Sequence, residues 1–194
     1  MTLSRLGAAL VSTALASTVA LSPLAAVAKP LSAPQRAMIL KAVDDDAGQI
    51  SDAALKIWNF AEVGYQETKS SALLQEQLKA AGFEVKAGVA GMPTAFVASY
   101  KNGKGPVIGI LAEYDALPGL GQAAEPTKTP VAGRAAGHGC GHNLFGAASV
   151  GAAVAIKDWM VKNKVQGELR VYGSPAEEGG SGKVYLVRAG LFDD

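Results

Sequence analysis

Histidine and cysteine are scarce in this sequence, which has two histidines and one cysteine in 194 residues. A single cysteine excludes an internal disulfide, so the fold cannot depend on one. Charged residues make up 18% of the chain, and the 18 basic residues nearly balance the 17 acidic ones. A nucleic-acid surface needs a clustered basic excess, so we expect no nucleic-acid partner. Hydrophobic residues make up 49%, which is sufficient for the core of one sizeable domain.

The N-terminal residues 1–28 have the features of a secretory signal. Arg5 supplies a positive charge, residues 6–20 form an apolar run, and Ala26-Val27-Ala28 has the small-x-small form of a cleavage site. The alternative is a transmembrane anchor, but the run is short and rich in alanine and serine. We therefore predict a cleaved signal over 1–28, a periplasmic or secreted chain over 29–194, and no membrane partner after cleavage.

Helical and strand patterns alternate through the rest of the chain. Four strand patterns are present: one begins at Phe83, two cover 94–100 and 106–112, and one begins at residue 169. The apolar run 106–112 suits a strand buried on both faces. Helical patterns cover 34–48, 68–81, 144–161, 181–189 and a stretch that Ser51 and Asp52 would cap. This alternation predicts an α/β fold with helices on both faces of a sheet and functional residues at the strand C-terminal ends.

Both histidines and the cysteine lie in one glycine-rich stretch, Gly137-His138-Gly139-Cys140-Gly141-His142-Asn143. Cys140 and His142 are two residues apart, so in an extended or tightly turned backbone their side chains project to the same side. A thiolate and an imidazole suit Zn²⁺, and also Mn²⁺ or Co²⁺ if carboxylates complete the ligand set. The alternative is a glycine-rich entry into a helix with the histidine as an ordinary polar cap, and this stretch alone leaves both interpretations open.

Acidic residues follow two of the apolar strand patterns. Glu177 and Glu178 precede two glycines. Because adjacent carboxylates point in different directions, one can bind an ion while the other takes a proton from water. Asp115 follows the strand pattern 106–112 and can orient a metal ligand. The alternatives are a solvated turn at Glu177-Glu178 and a strand-end cap at Asp115.

Three stretches of the chain form a pattern when they are taken together. In chain order they are Ala112-Glu113-Tyr114-Asp115-Ala116-Leu117-Pro118-Gly119, then Gly137 to Asn143, then Pro175-Ala176-Glu177-Glu178-Gly179-Gly180. Together they resemble the aminoacylase/carboxypeptidase-type metallopeptidases. The similarity covers residues 50–194 and is greatest to the amidohydrolase branch, which includes hydrolases of p-aminobenzoyl-glutamate and of N-acyl and indole-acetyl amino acids. It implies a three-layer α/β/α zinc-peptidase-like catalytic domain.

The resemblance implies a role for each candidate residue. Metal ligands would be Cys140, shared between two ions, together with His142 and Glu178. Glu177 would be the general base that activates water, and Asp115 would be an acid that orients a ligand.

Two further residues match the family's motifs without a clear role. His138 corresponds to a histidine of the branch's glycine-rich motif. Glu113 stands where other branches carry a metal-binding histidine, a task that His142 would take over here.

The same resemblance implies cofactors, a substrate and partners. The complete family enzyme would hold two Zn²⁺ or Mn²⁺ ions, cleave an amide between an acyl or aminobenzoyl group and an amino acid, and form a homodimer or hetero-oligomer. The resemblance also implies further histidines and a smaller lid and dimerisation domain downstream, and the given sequence has no histidine after His142. We therefore expect a truncated N-terminal portion of a longer enzyme, with weak activity or none alone. A non-catalytic exported metal-binding module and an inactive truncated fragment are the alternatives.

Overall fold

The computed structural model describes residues 30–193, so the predicted signal over 1–28 lies outside the described residues. The helices are α1 (Ala33–Asp45), α2 (Ala47–Phe60), α3 (Thr68–Ala80), α4 (His142–Lys162), α5 (Glu177–Gly180) and α6 (Gly182–Arg188). The strands are β1 (Glu84–Ala87), β2 (Phe96–Asn102), β3 (Val107–Ala112), β4 (Leu117–Pro118), β5 (Ala136–Gly137) and β6 (Gly167–Gly173).

The main sheet has the strand order β1-β2-β6-β3 and is mixed. β2 runs antiparallel to both β1 and β6, whereas β3 and β6 are parallel. In this parallel pair Ala112 lies opposite Gly173, so the carboxyl ends of the two strands lie side by side. The acidic residues that follow each strand therefore emerge side by side, as the sequence predicts.

The hydrophobic core lies between this sheet and the helices α2, α3 and α4. Helix α4 contacts β2, β3, β6 and α2, and α3 contacts β1 and β2. Core residues on both sides of this interface are fully buried: Phe96 and Val171 on the strands, and Leu74 and Ile57 on the helices. This packing is what holds the N-terminus of α4 against the ends of β3 and β6.

The opposite face of the sheet carries polar and charged residues. Lys86, Ser99 and Arg170 line a groove of about 760 Å³ on this face. At one end of the groove the ring of Tyr172 lies 4.6 Å, centroid to centroid, from that of Phe192. Residues 30–193 thus supply the sheet and one packed layer of helices of the α/β architecture that the sequence predicts.

Two local predictions are wrong. Strand β3 lies at the edge of the sheet with one neighbour, and Val107 and Ile108 are 37% and 52% exposed, so the strand is not buried on both faces. Helix α2 begins at Ala47, four residues before Ser51, so neither Ser51 nor Asp52 caps it. Asp52 instead forms an ion pair with Lys56 one turn along the helix.

Among the described residues, α4 is the one helix long and apolar enough to cross a membrane, with a mean hydropathy of 1.4 over 18 residues. Its contacts with three strands and with α2 are those of a core helix. The helix begins at His142, two residues before the start that the sequence predicts, and this shift places the imidazole in its first turn.

Candidate metal centre

A single imidazole lies where the ends of β3 and β6 meet the start of α4. The Nε2 atom of His142 is 2.8 Å from Glu113 Oε2, and its Nδ1 atom is 2.8 Å from Asp115 Oδ1. The side chain of His142 is only 6% exposed. A neutral imidazole has one N–H, so it can satisfy one of these carboxylates as a donor. The second contact requires a further proton, on the nitrogen or on the carboxylate, or a metal ion bound to both, so the site fits a cation.

Two groups of potential ligands share this imidazole. One group is Cys140, His142 and Glu178, and the other is Glu113, His142 and Glu177. Within each group the ligand atoms lie within 4.8 Å of one another. Sulfur, nitrogen and carboxylate oxygen in one cluster is a ligand set suited to zinc and, through its carboxylates, to manganese. The structure thus brings together all three metal ligands that the family resemblance implies.

Asp115 contacts two other parts of the centre. It is 1% exposed, and each of its oxygens has a partner. Its Oδ1 contacts His142 Nδ1, and its Oδ2 accepts the backbone N–H of Glu178 at 2.8 Å. When Asp115 accepts a hydrogen bond from Nδ1–H, the Nε2 lone pair of His142 is available to a metal ion. The structure thus places Asp115 beside the imidazole that the resemblance predicts it to orient.

The electrostatics of the cluster also favour a cation. Four carboxylates, those of Glu113, Asp115, Glu177 and Glu178, lie around His142. The Oε1 atom of Glu178 is buried and has no hydrogen-bond partner within residues 30–193. The negative charge of Glu178 is also the main reason that the pKa of the Cys140 thiol is raised. A divalent ion would satisfy the free oxygen and favour the thiolate, so the residues present fit a metal.

Local backbone features allow the three segments to approach so closely. Gly141 precedes α4 with a φ of 98°, a left-handed conformation that turns the chain between Cys140 and His142. One turn into α4, a Cβ atom on Gly146 would lie 2.6 Å from the carbonyl oxygen of Glu113. Glycine at this position is therefore required for the helix to pack against the end of β3.

Glu113 had no clear role from the sequence, and the structure places it beside His142. A signal for it was present, because Glu113 and Asp115 are two residues apart after a strand and their side chains can face the same imidazole. Lys183, in the first turn of α6, also contacts Glu113, through Oε1. No sequence pattern indicated Lys183, because 70 residues separate the pair.

His138 lies outside both ligand groups. It is 5% exposed, and its Nε2 atom is 3.1 Å from the carbonyl oxygen of Ile57 in α2. Burial lowers the pKa of His138, because the imidazolium form is disfavoured away from water. The contacts of this histidine are those of a packing residue between the glycine-rich loop and α2.

Comparison with known proteins places these motifs in a family. Residues 109–194 match the family described as "Peptidase family M20/M25/M40". The chain is 46% identical over 156 residues to a subunit of p-aminobenzoyl-glutamate hydrolase from Escherichia coli K12, a match covering 79% of this chain and 32% of that protein. It is 33% identical over 164 residues to thermostable carboxypeptidase 1 of Saccharolobus solfataricus, covering 80% of this chain and 40% of that protein.

A solved structure supports the same assignment. The chain resembles a dinuclear metal-binding peptidase of the M20 family from Bacillus subtilis with a TM-score of 0.65 and 25% identity, covering 75% of this chain and 40% of that one. The chain thus spans 32% to 40% of the length of these three proteins. The resemblance predicted from the three sequence motifs is confirmed, because residues 109–194 match peptidase family M20/M25/M40.

Proposed function

We propose that this chain carries the metal centre of a metal-dependent amidohydrolase. The bond cleaved would be an amide between an acyl or aminobenzoyl group and an amino acid, as in p-aminobenzoyl-glutamate. The observation that carries this proposal is that two ligand groups share the buried imidazole of His142. The first group adds Cys140 and Glu178, and the second adds Glu113 and Glu177. The name of the Escherichia coli relative, a p-aminobenzoyl-glutamate hydrolase, supports the substrate class.

The residues divide the chemistry between them. Cys140, His142 and Glu178 would hold a Zn²⁺ or Mn²⁺ ion, and Glu113 of the second ligand group would help to hold another. A divalent ion, when bound, polarises the amide carbonyl and lowers the pKa of water. Asp115 keeps the imidazole oriented through Nδ1.

Glu177 would move the proton. Its side chain is 41% exposed, and its Oε2 atom lies 3.7 Å from His142 Nε2, beyond hydrogen-bonding distance. A carboxylate that is close to the ligands and free to reach solvent can take a proton from water and donate it to the leaving amine. We therefore assign Glu177 as the general base.

The test is a hydrolysis assay on the full-length protein that contains this chain, loaded with Mn²⁺ or Zn²⁺. Substrates are p-aminobenzoyl-glutamate and N-acyl amino acids, and release of the free amine is followed by chromatography. We expect metal-dependent turnover that a chelator abolishes, and we expect Glu177→Gln to lower kcat by about 10²–10⁴-fold with the metal still bound.

The matched control is Glu76→Gln, the same change at an exposed position on α3. Unchanged turnover in Glu177→Gln would contradict the role of general base. Stoichiometric metal binding without hydrolysis of any substrate would favour a non-catalytic metal-binding module instead.

We also propose a periplasmic or secreted location and assembly into a homodimer or hetero-oligomer. The signal features of residues 1–28 support the location, and the word "subunit" in the name of the Escherichia coli relative supports the assembly. N-terminal sequencing of the protein from a periplasmic extract tests the first, with Lys29 as the expected first residue. That the chain is part of a longer enzyme stays a prediction, which the reading frame after the Asp194 codon tests.

A further inference from the structure

The acidic loop that carries Glu177 and Glu178 rests on a buried carboxylate from a distant part of the chain. Glu67 is fully buried, at 0% exposure. Its Oε1 atom accepts the backbone N–H of Ala176 at 2.8 Å, and its Oε2 atom accepts the hydroxyl of Thr94 at 2.9 Å. Burying a carboxylate is unfavourable unless its oxygens are hydrogen-bonded, and here each oxygen has a donor.

The residue that Glu67 holds has an unusual backbone conformation. Ala176 has φ 54° and ψ 43°, in the left-handed region that alanine seldom occupies. Such conformations persist where the surroundings hold them in place. Because Glu177 and Glu178 follow directly, the conformation of Ala176 sets the direction in which both carboxylates leave the end of β6. A backbone hydrogen bond at Ala176 N–H therefore acts on the position of both.

A second contact holds the other end of the same loop. The hydroxyl of Tyr65 donates to the carbonyl oxygen of Gly180. Gly64 packs so closely on Ala176 that a Cβ atom on it would lie 2.9 Å from the Cβ of Ala176. Residues 64–67, which we call the clamp segment, thus contact the loop both before and after its two glutamates.

The clamp segment is also linked to the other acidic segment of the centre. The backbone carbonyl of Thr94, whose hydroxyl bonds to Glu67, accepts the Tyr114 hydroxyl at 2.6 Å. Tyr114 is fully buried and lies between Glu113 and Asp115. The path Glu67–Thr94–Tyr114 therefore joins the two acidic segments from behind the metal ligands.

We propose that the clamp segment positions the metal centre, with Glu67 as its main positioning residue. By holding Ala176 in the left-handed conformation, Glu67 directs Glu178 toward Cys140 and His142 and directs Glu177 toward the proton that it moves. This inference rests on the metal centre of the proposed function, since it assigns a support to that centre.

The experiment compares Glu67→Leu with Glu67→Gln in the full chain loaded with Co²⁺. Leucine removes both hydrogen bonds, so we expect Co²⁺ affinity to fall about 10–100-fold, with altered visible absorption bands of the ion. Glutamine retains an oxygen for the Ala176 N–H and an amide N–H for the Thr94 hydroxyl. We therefore expect the conservative variant to keep the wild-type spectrum and most of the affinity.

Asn102→Ala is the control for lost stability. The side-chain amide of Asn102 donates to the backbone carbonyl of Val165 at 2.7 Å, at the end of β2 away from the acidic loop. We expect this variant to unfold at lower urea concentration while its Co²⁺ spectrum stays unchanged. A role of Glu67 in stability alone would give Glu67→Leu the same behaviour, and that result overturns the inference.

Two further outcomes complete the test. If Glu67→Leu does not fold, Tyr65→Phe decides, because Tyr65 is 40% exposed and its hydroxyl can be removed without disturbing the core. A shifted Co²⁺ spectrum in Tyr65→Phe supports the clamp, and an unchanged spectrum and affinity overturn it. Failure of the wild-type chain to bind Co²⁺ overturns both the proposed function and this inference, whereas equal binding by the wild type and a folded Glu67→Leu overturns the inference alone.

Discussion

The two acidic segments of the centre occupy equivalent places in the fold and differ in exposure. Both follow parallel strands that end together, Ala112 of β3 opposite Gly173 of β6. The side chain of Asp115, after β3, is 0% exposed, whereas that of Glu177, after β6, is 41% exposed. The first segment leaves its strand into the core, and the second turns away through the left-handed Ala176.

This difference in exposure separates orientation from reactivity. Both oxygens of Asp115 are occupied by His142 and by the backbone of Glu178, so Asp115 can orient but has no free oxygen for a reaction. Glu178 has a buried oxygen without a hydrogen-bond partner among the described residues, and Glu177 is open to solvent. We therefore propose that the buried segment sets the geometry of the site and that the exposed segment supplies the groups that meet an ion and water.

The largest effect is expected from His142, which both ligand groups share. His142→Ala removes a ligand from each group at once. Loss of a partner that only orients a ligand lowers metal affinity by up to about 100-fold. We expect loss of the ligand itself to lower the affinity by at least that factor. Isothermal titration with Zn²⁺ and Mn²⁺ measures it. His138→Ala is the control: His138 lies outside both groups, so this variant should keep the wild-type metal stoichiometry. Wild-type affinity in His142→Ala would refute the shared site.

A smaller effect is expected from Asp115→Asn, which tests the different roles of the two acidic segments. Asp115→Asn replaces one of the two accepting oxygens with an amide nitrogen. Asparagine can therefore accept a hydrogen bond from His142 or from the Glu178 backbone, but not from both. We expect metal affinity to fall about 10–100-fold with unchanged stoichiometry. Asp52→Asn, on the exposed surface of α2, is the matched control. If Asp115→Asn left the affinity intact and lowered kcat alone, the division of roles between the two segments would be wrong.

The predictions from sequence were best where ligands are close together in the chain. Cys140 and His142, and Glu177 and Glu178, were candidates because each pair is close together in the chain, and the family resemblance then implied a role for each residue. Glu67 and Lys183 could not, because their partners Ala176 and Glu113 are 109 and 70 residues away. The edge position of β3 was missed for a related reason, since an apolar strand pattern does not reveal how many neighbours the strand will have.

Lys183 allows a finer test of the segment after β3. Its ammonium group contacts Glu113 and competes with a metal ion for that carboxylate. Partly exposed ion pairs contribute up to about 1 kcal/mol, so we expect Lys183→Met to bind Mn²⁺ up to about fivefold more tightly. Lys79→Met makes the same charge change on the exposed surface of α3. Weaker Mn²⁺ binding in Lys183→Met would instead show that the lysine supports the ligand geometry.

The smallest effect concerns the carboxylate that supports the exposed segment. Burial raises the pKa of Glu67, although the hydrogen bonds from Ala176 and Thr94 oppose the shift. Because the folded chain then binds the proton more tightly than the unfolded chain, the contribution of Glu67 to stability is greatest below its unfolded pKa. That contribution is lost as the pH rises through the folded pKa.

Glutamine at position 67 does not titrate, so the comparison of Glu67→Gln with the wild type isolates this effect. We expect the variant to lose more free energy of unfolding at about pH 4.5 than at about pH 7.5, measured by urea denaturation with a chelator present. The chelator matters because bound metal would add its own pH dependence through Cys140 and His142. A loss that grows as the pH rises would mean that the folded chain favours the ionised carboxylate. The two hydrogen bonds would then outweigh burial at Glu67.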